Sequence, residues 1–189
     1  MLRLRLFNIY LSLRRFLNLL DLEFTIMKNI FILFFFISFI GNAQVLGEIR
    51  SQYSKAVESP EVTEKLYGEL AKISTSTKPV LHAYKGAILT LKAKFSKNKR
   101  DKKDFFKEGV SLLESAVELD SLNTEIRYIR LSVQENSPKF LGYHKNIEAD
   151  KDFILKNYGT LSSKTLKILV KDFVLNSNNF DETEKLGLN

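Results

Sequence analysis

Residues 101–123 read DKKDFFKEGVSLLESAVELDSLN, from Asp101 to Asn123. Phe105, Phe106, Gly109, Val110, Leu112, Leu113, Ala116, Val117 and Leu119 recur at helical spacing and form one broad apolar face. Lys107, Glu108, Ser111, Glu114, Ser115 and Glu118 fall largely on the opposite side. Asp101 suits the N-cap, and Asp104 lies where the positive end of a helix favours an acid. The turn formers Asp120, Ser121 and Asn123 end the helix near Leu119. A glycine inside a helix costs about 1 kcal/mol relative to alanine. Gly109 therefore predicts that the preceding helix comes close at this point.

Working outward, the remaining segments also carry helical periodicity. Val45, Leu46, Ile49, Tyr53, Ala56 and Val57 mark a first helix, stopped at Ser59-Pro60, where serine caps and proline begins the next. Val62, Leu66, Leu70 and Ile73 line a second, and STSTKP (Ser74 to Pro79) is a polar loop that again ends on a helix-starting proline. A third helix runs from Val80 to about Ser96, followed by a charged linker to Lys103. Asn123 caps a fifth helix with Ile126, Ile129 and Val133 inward, ended by Asn136-Ser137-Pro138. The connector KFLGY leads to a sixth helix through Ile147, Ile154 and Leu155, closed at Gly159. Ser162 or Ser163 caps a seventh, with Leu166, Leu169, Val170, Phe173 and Val174 inward. Residues 176–189 form a polar tail expected to fray, with Phe180 and Leu186 as the residues able to dock it. No segment alternates with period two, so an all-α array of about seven helices in antiparallel hairpins is expected over residues 44–175.

Gly109, Leu113, Ala116, Val117, Leu119, Asp120 and Asn123 resemble the second helix of a tetratricopeptide repeat: a small residue, a bulky one, alanine, then a run close to L-x-L-D-P-x-N. Ser121 stands where that family prefers proline. Val80 to Phe95 is similar to the first helix, with Tyr84, Ala87 and Leu91 facing the partner. The resemblance covers about residues 80–123 and implies helical hairpins that present a surface to a protein or peptide. The motif Tyr53-x-x-Ala56-Val57 returns as Tyr84-x-x-Ala87-Ile88, 31 residues later.

The N-terminal part reads differently. Residues 27–43 have the form of a signal peptide: Lys28, then the apolar core Ile30 to Ile40, then Gly41 and Ala43 at positions −3 and −1 of a cut before Gln44. That core is shorter than the ~20 residues of a spanning helix. Residues 1–26 precede it. Met27 is a natural start, which makes 1–26 an untranslated upstream extension; the alternative is an amphipathic membrane helix with Asn8, Ser12, Arg15 and Asn18 as its polar stripe. The first 43 residues hold five of the 29 basic and two of the 22 acidic residues, so the remainder carries 24 and 20, a net charge of +4. Such a mild balance gives no reason to expect nucleic acid as a partner. The chain has no cysteine, hence no disulfide and no thiolate chemistry.

Three constellations bear on function. Lys92, Lys94, Lys97, Lys99, Arg100, Lys102, Lys103 and Lys107 form the strongest charge cluster, which reads first as solvated surface diluted by Asp101 and Asp104, and second as a contact for an acidic partner or lipid head group. His144, Glu148 and Asp152 share a face if one helix holds all three, but two histidines and no cysteine are too few for a closed zinc site. His82 has no carboxylate near it in sequence and reads as structural. Arg127 and Arg130 stand one turn apart, with Gln134 continuing their face, and two guanidinium groups so placed are able to clamp a carboxylate. Phe140 and Tyr143 follow in the connector, where aromatics often make contacts. The competing reading pairs the arginines with Glu125, Glu135 or a neighbouring helix and lets Phe140 plug the core.

No catalytic, metal, cofactor or nucleotide motif stands in the chain. The expected function is an exported, non-catalytic helical interaction module, periplasmic in a Gram-negative type of bacterium or secreted beyond, that binds a protein or peptide through Arg127, Arg130, Phe140 and Tyr143. The alternatives are a membrane-associated protein held by residues 1–40 and an enzyme without a recognised motif.

Overall fold

Side-chain caps set the helix boundaries in the computed structural model, which describes residues 27–28, 45–72 and 78–188. The signal peptide beyond Lys28, the segment 1–26 and Ile73 lie outside the described residues. The described part of the first helix, α1, covers residues 45–56. Ser59 caps α2 (Pro60–Ala71), accepting from the Val62 amide. α3 is Pro79–Phe95 and α4 is Lys99–Leu119, capped by Asn98. Asn123 caps α5 (Thr124–Asn136) through the amides of Glu125 and Ile126. α6 is Ile147–Asn157, α7 is Lys164–Asn176 with Ser163 as cap, and α8 is Glu182–Leu186. Among the described residues every regular element is helical and no strand occurs.

Two boundaries differ from expectation. α4 begins two residues before Asp101, because the Asn98 side chain accepts from the Arg100 amide and the Lys/Arg run that follows has good helix propensity. The supposed linker to Lys103 is thus helix, and only Ser96–Asn98 separates α3 from α4. The tail is also ordered. Asp181 and Glu184 form a reciprocal capping box on α8. Phe180 and Leu188 are buried there, whereas Leu186 stays 67% exposed.

Residues from Gly47 onward make one compact unit. Its most extensive helix contact is α3 on α4. A Cβ built on Gly86 would stand 2.6 Å from the Gly109 carbonyl oxygen, and one on Gly109 would stand 2.6 Å from the Gly86 oxygen and 2.8 Å from Thr90 Cγ2. The close approach expected at Gly109 is therefore mutual: two glycines let two backbones touch. α4 buries only Gly109, Leu113, Ala116 and Val117; Phe105, Phe106, Val110 and Leu112 are half-buried and Leu119 is 62% exposed. Its apolar face is broader than the surface it covers.

The innermost position belongs to α5, which touches α3, α4, α6 and α7. Ile126, Ile129 and Leu131 are fully buried, and so is Gln134. Ridges of apolar side chains on several faces explain why this helix lacks a clean polar side. The Tyr53 and Tyr84 rings of the repeated motif meet edge to face at 5.4 Å, and Tyr128 of α5 joins Tyr53 at 6.5 Å. Tyrosines from α1, α3 and α5 thus meet in one cluster, where their ring quadrupoles favour the edge-on arrangement.

Candidate functional site

The arginine pair is the starting point, and the structure encloses it. Arg130 is 4% exposed. Its Nε donates to Asp150 Oδ2 at 2.7 Å, its Nη2 to Asp150 Oδ1 at 2.7 Å and its Nη1 to Glu114 Oε2 at 2.8 Å. Asp150 is fully buried on α6. Arg127 donates to Asp150 Oδ1 at 2.9 Å and to the Ser121 carbonyl, and its guanidinium lies over the Phe153 ring. Burial works against the Arg130 charge, but the hydrogen bonds and attraction of Asp150 and Glu114 outweigh it, so its pKa rises. Every strong acceptor these guanidinium groups need is inside the protein. They clamp α4, α5 and α6 together and are not open to a peptide carboxylate. Glu125 and Glu135, the acids expected as partners from sequence, are used elsewhere.

Glu125 is the second buried anion. Arg50 of α1 holds it bidentately through Nε and Nη2, and the Tyr84 hydroxyl donates to Oε1 at 2.9 Å. The Glu125 hydrogen bond raises the Arg50 pKa. Tyr53 shares a buried hydrogen bond with Ser132 at 2.8 Å. The Arg50–Glu125 and Tyr53–Ser132 bonds tie α1 to α5 across more than seventy residues of chain, and Tyr84 ties α3 to the same carboxylate. Glu135 accepts from the Ser177 hydroxyl and the Asn178 amide, which fastens the segment leading to α8.

Tyr143 belongs to the arginine network. Its hydroxyl donates to Glu114 Oε1 at 2.5 Å, and its ring meets Phe106 edge to face at 6.2 Å. Burial, then Glu114, pushes its pKa well up. Phe140 is placed otherwise. It stands 86% exposed on a 3₁₀ turn, Lys139–Leu141, beside Leu141 at 39%. The Leu141 amide donates to the Pro138 carbonyl and the Gly142 amide to the Lys139 carbonyl. Gly142 closes the turn at φ +68°, in the left-handed region that a Cβ disfavours. His144 Nε2 bonds the Ser137 carbonyl at 3.0 Å, across the base of the loop. Phe140 is thus not a core plug but a projecting side chain on a braced turn.

The other constellations separate. α6 begins at Ile147, so His144 lies before the helix and does not share a face with Glu148 and Asp152. Glu148 pairs with Lys151. Among the described residues no group of three or more His, Asp or Glu side chains converges as a metal site. His82 is half-buried, and neither ring nitrogen has a hydrogen-bond partner among the described residues; the same holds for the side-chain amide of Gln134. In the basic cluster, Lys92 is committed to Glu64 and the Tyr67 ring, and Lys94 to the Val57 carbonyl. A shallow open hollow of about 360 Å³ on α4 is lined by Asp104, Lys107, Glu108, Ser111 and Leu112. Among the described residues no helix is long and apolar enough to cross a membrane.

Two residues of the site go beyond the sequence expectations. Leu141, beside Phe140, carries a signal visible in sequence, two adjacent apolar residues between proline and glycine in a polar connector. Asp150 carries no such signal, because a lone acid in a charged helix reads as surface. No protein-family model matches the chain, and neither a curated protein nor a solved structure shows significant similarity to it.

Proposed function

We propose that this chain is an exported, non-catalytic helical-hairpin module that makes its contact through the braced turn carrying Phe140 and Leu141. The observation that carries the reading is a phenylalanine 86% exposed on a turn held by two backbone hydrogen bonds, a left-handed glycine and the Tyr143 and His144 anchors behind it. An ordered, exposed aromatic lowers the entropy lost on binding. Arg130 supports that surface from within by fixing Glu114, on which Tyr143 rests, and Arg127 shares Asp150 with it. The tetratricopeptide-like arrangement is supported by the three-residue connection between α3 and α4 and by the Gly86–Gly109 approach, with Gly109 at the small-residue position of the repeat. A groove along α3 or α5 is a poor candidate for a peptide, since α5 buries ten of its thirteen residues.

Two experiments test this. A photo-crosslinking residue at Phe140, in the cells that make the protein, should form an adduct that the same residue at Glu108 does not; matching behaviour at both positions would sink the contact reading. Export rests on the pattern at residues 27–43, and N-terminal sequencing of the product should begin at Gln44. A product retaining residues 1–26 would overturn it.

A further inference from the structure

The partner of the Phe140 turn is suggested by the charges around it. Tyr143 against Phe106 sets the connector beside α4. On a helix of 100° per residue, Lys102 and Lys103 project within about 60° of Phe106, while Asp101, Asp104 and Glu108 project about 140° or more away. The N-terminal half of α4 thus carries Lys102 and Lys103 on the connector side and its acids away from it, and Glu114, the acid further along that does reach the connector, is held by Arg130 and Tyr143. The connector adds Lys139 and Lys145, and no Asp or Glu occurs from Asn136 to Ile147. All four lysines are exposed, and none has an ion pair among the described residues. The carboxylates that meet the connector or begin α6 are occupied: Glu114 by Arg130 and Tyr143, Asp150 by both arginines, Glu148 by Lys151.

We infer that this face docks on an anionic phospholipid surface, with Phe140 and Leu141 entering the interface and Lys102, Lys103, Lys139 and Lys145 meeting the head groups. The inference rests on the contact reading above and names its partner. Stable attachment to a bilayer takes two signals, an apolar insertion and a basic patch; here the connector that holds Phe140 and Leu141 also holds Lys139 and Lys145, and packs through Tyr143 on the helix that holds Lys102 and Lys103. A basic side chain near an anionic membrane contributes roughly fivefold in affinity. A projecting, convex turn suits a deformable interface. A protein pocket would have to supply matching acids and a cleft for the ring.

The chain has no cysteine, so Phe140→Cys provides one labelling site. The protein, purified from its own host, is labelled there with an environment-sensitive fluorophore and mixed with vesicles of phosphatidylcholine alone or with phosphatidylglycerol. The expected result is a blue shift with the anionic vesicles only, reversed by salt, and absent when the label is carried by Glu108→Cys. Lys102→Gln with Lys103→Gln should weaken the response about fivefold per lysine. No shift at position 140, or equal shifts at both positions, overturns the inference. If vesicles fail while the crosslinker at position 140 captures a protein, only the lipid assignment falls. If both fail, the contact reading falls with it.

Discussion

Arg130 lies between two carboxylates, one of them fully buried, so its removal takes the bidentate partner from Asp150 and leaves that buried charge to Arg127 alone. Breaking a buried pair in this way costs about 3–5 kcal/mol. Arg130→Ala should therefore lower the denaturant midpoint sharply, whereas Phe140→Ala, at 86% exposure, should change stability by no more than about 0.5 kcal/mol. Equal melting temperatures for these two variants would contradict the network. Glu114 alters the outlook for the residue beside it. Read from the sequence, Glu114 is a solvent-facing acid whose loss is neutral. In the structure it accepts from Arg130 and Tyr143, and Glu114→Ala should cost about 1–3 kcal/mol. Leu113→Ala, fully buried, should cost about 2–5 kcal/mol, and urea titration of both variants would rank them.

At the level of elements, the α3–α4 pair depends on two glycines. A methyl group at Gly86 or Gly109 meets a backbone oxygen that no rotamer can move, so the helices must separate. Overpacking of this kind costs about 1–3 kcal/mol, against about 1 kcal/mol regained from alanine's helix propensity. Gly86→Ala and Gly109→Ala should both melt earlier than wild type. Gly68, on α2, has nothing within 4 Å of a built Cβ. Gly68→Ala should instead raise stability by up to about 1 kcal/mol. Thermal melts showing the same sign for all three would mean that the close approach is not as described.

Across the whole molecule, the buried tyrosines set the alkaline limit. Burial pushes Tyr53 up to about 12, with the Ser132 hydrogen bond opposing, and pushes Tyr84 and Tyr128 well above the ordinary phenol value. Their pKa values are raised in the folded state, so the fold favours the neutral phenol. That contribution is fully present below pH ~10, where the unfolded tyrosines titrate, and is lost as pH rises through the folded values. Stability should fall from pH ~10 towards 12, and phenolate absorbance of these tyrosines should appear together with loss of helical circular dichroism. Phenolate of Tyr53, Tyr84 or Tyr128, assigned by Tyr→Phe variants, forming in a still-folded protein at pH ~10.5 would show that the cluster is open to solvent.

The sequence alone determined the helical class and most boundaries, because periodicity and caps are local: Ser59, Asn123 and Ser163 act on amides two or three residues away. It also determined the Gly109 approach, since an unexplained glycine in a helix asks for a neighbour. Tertiary structure alone decided what the polar residues do. Arg127, Arg130 and Gln134 carry the pattern of an exposed face, and only the arrival of Asp150 from α6 and Glu114 from α4 makes that face interior. Likewise α4, the most amphipathic-looking helix in the sequence, has apolar surface left over, while α5 became the centre. Amphipathicity records the surface a helix is able to bury, but which faces are covered depends on how many neighbours reach it. Phe140 followed the same rule in reverse: nothing in its identity kept it out of the core, and the turn from Pro138 to Gly142 carried it outward.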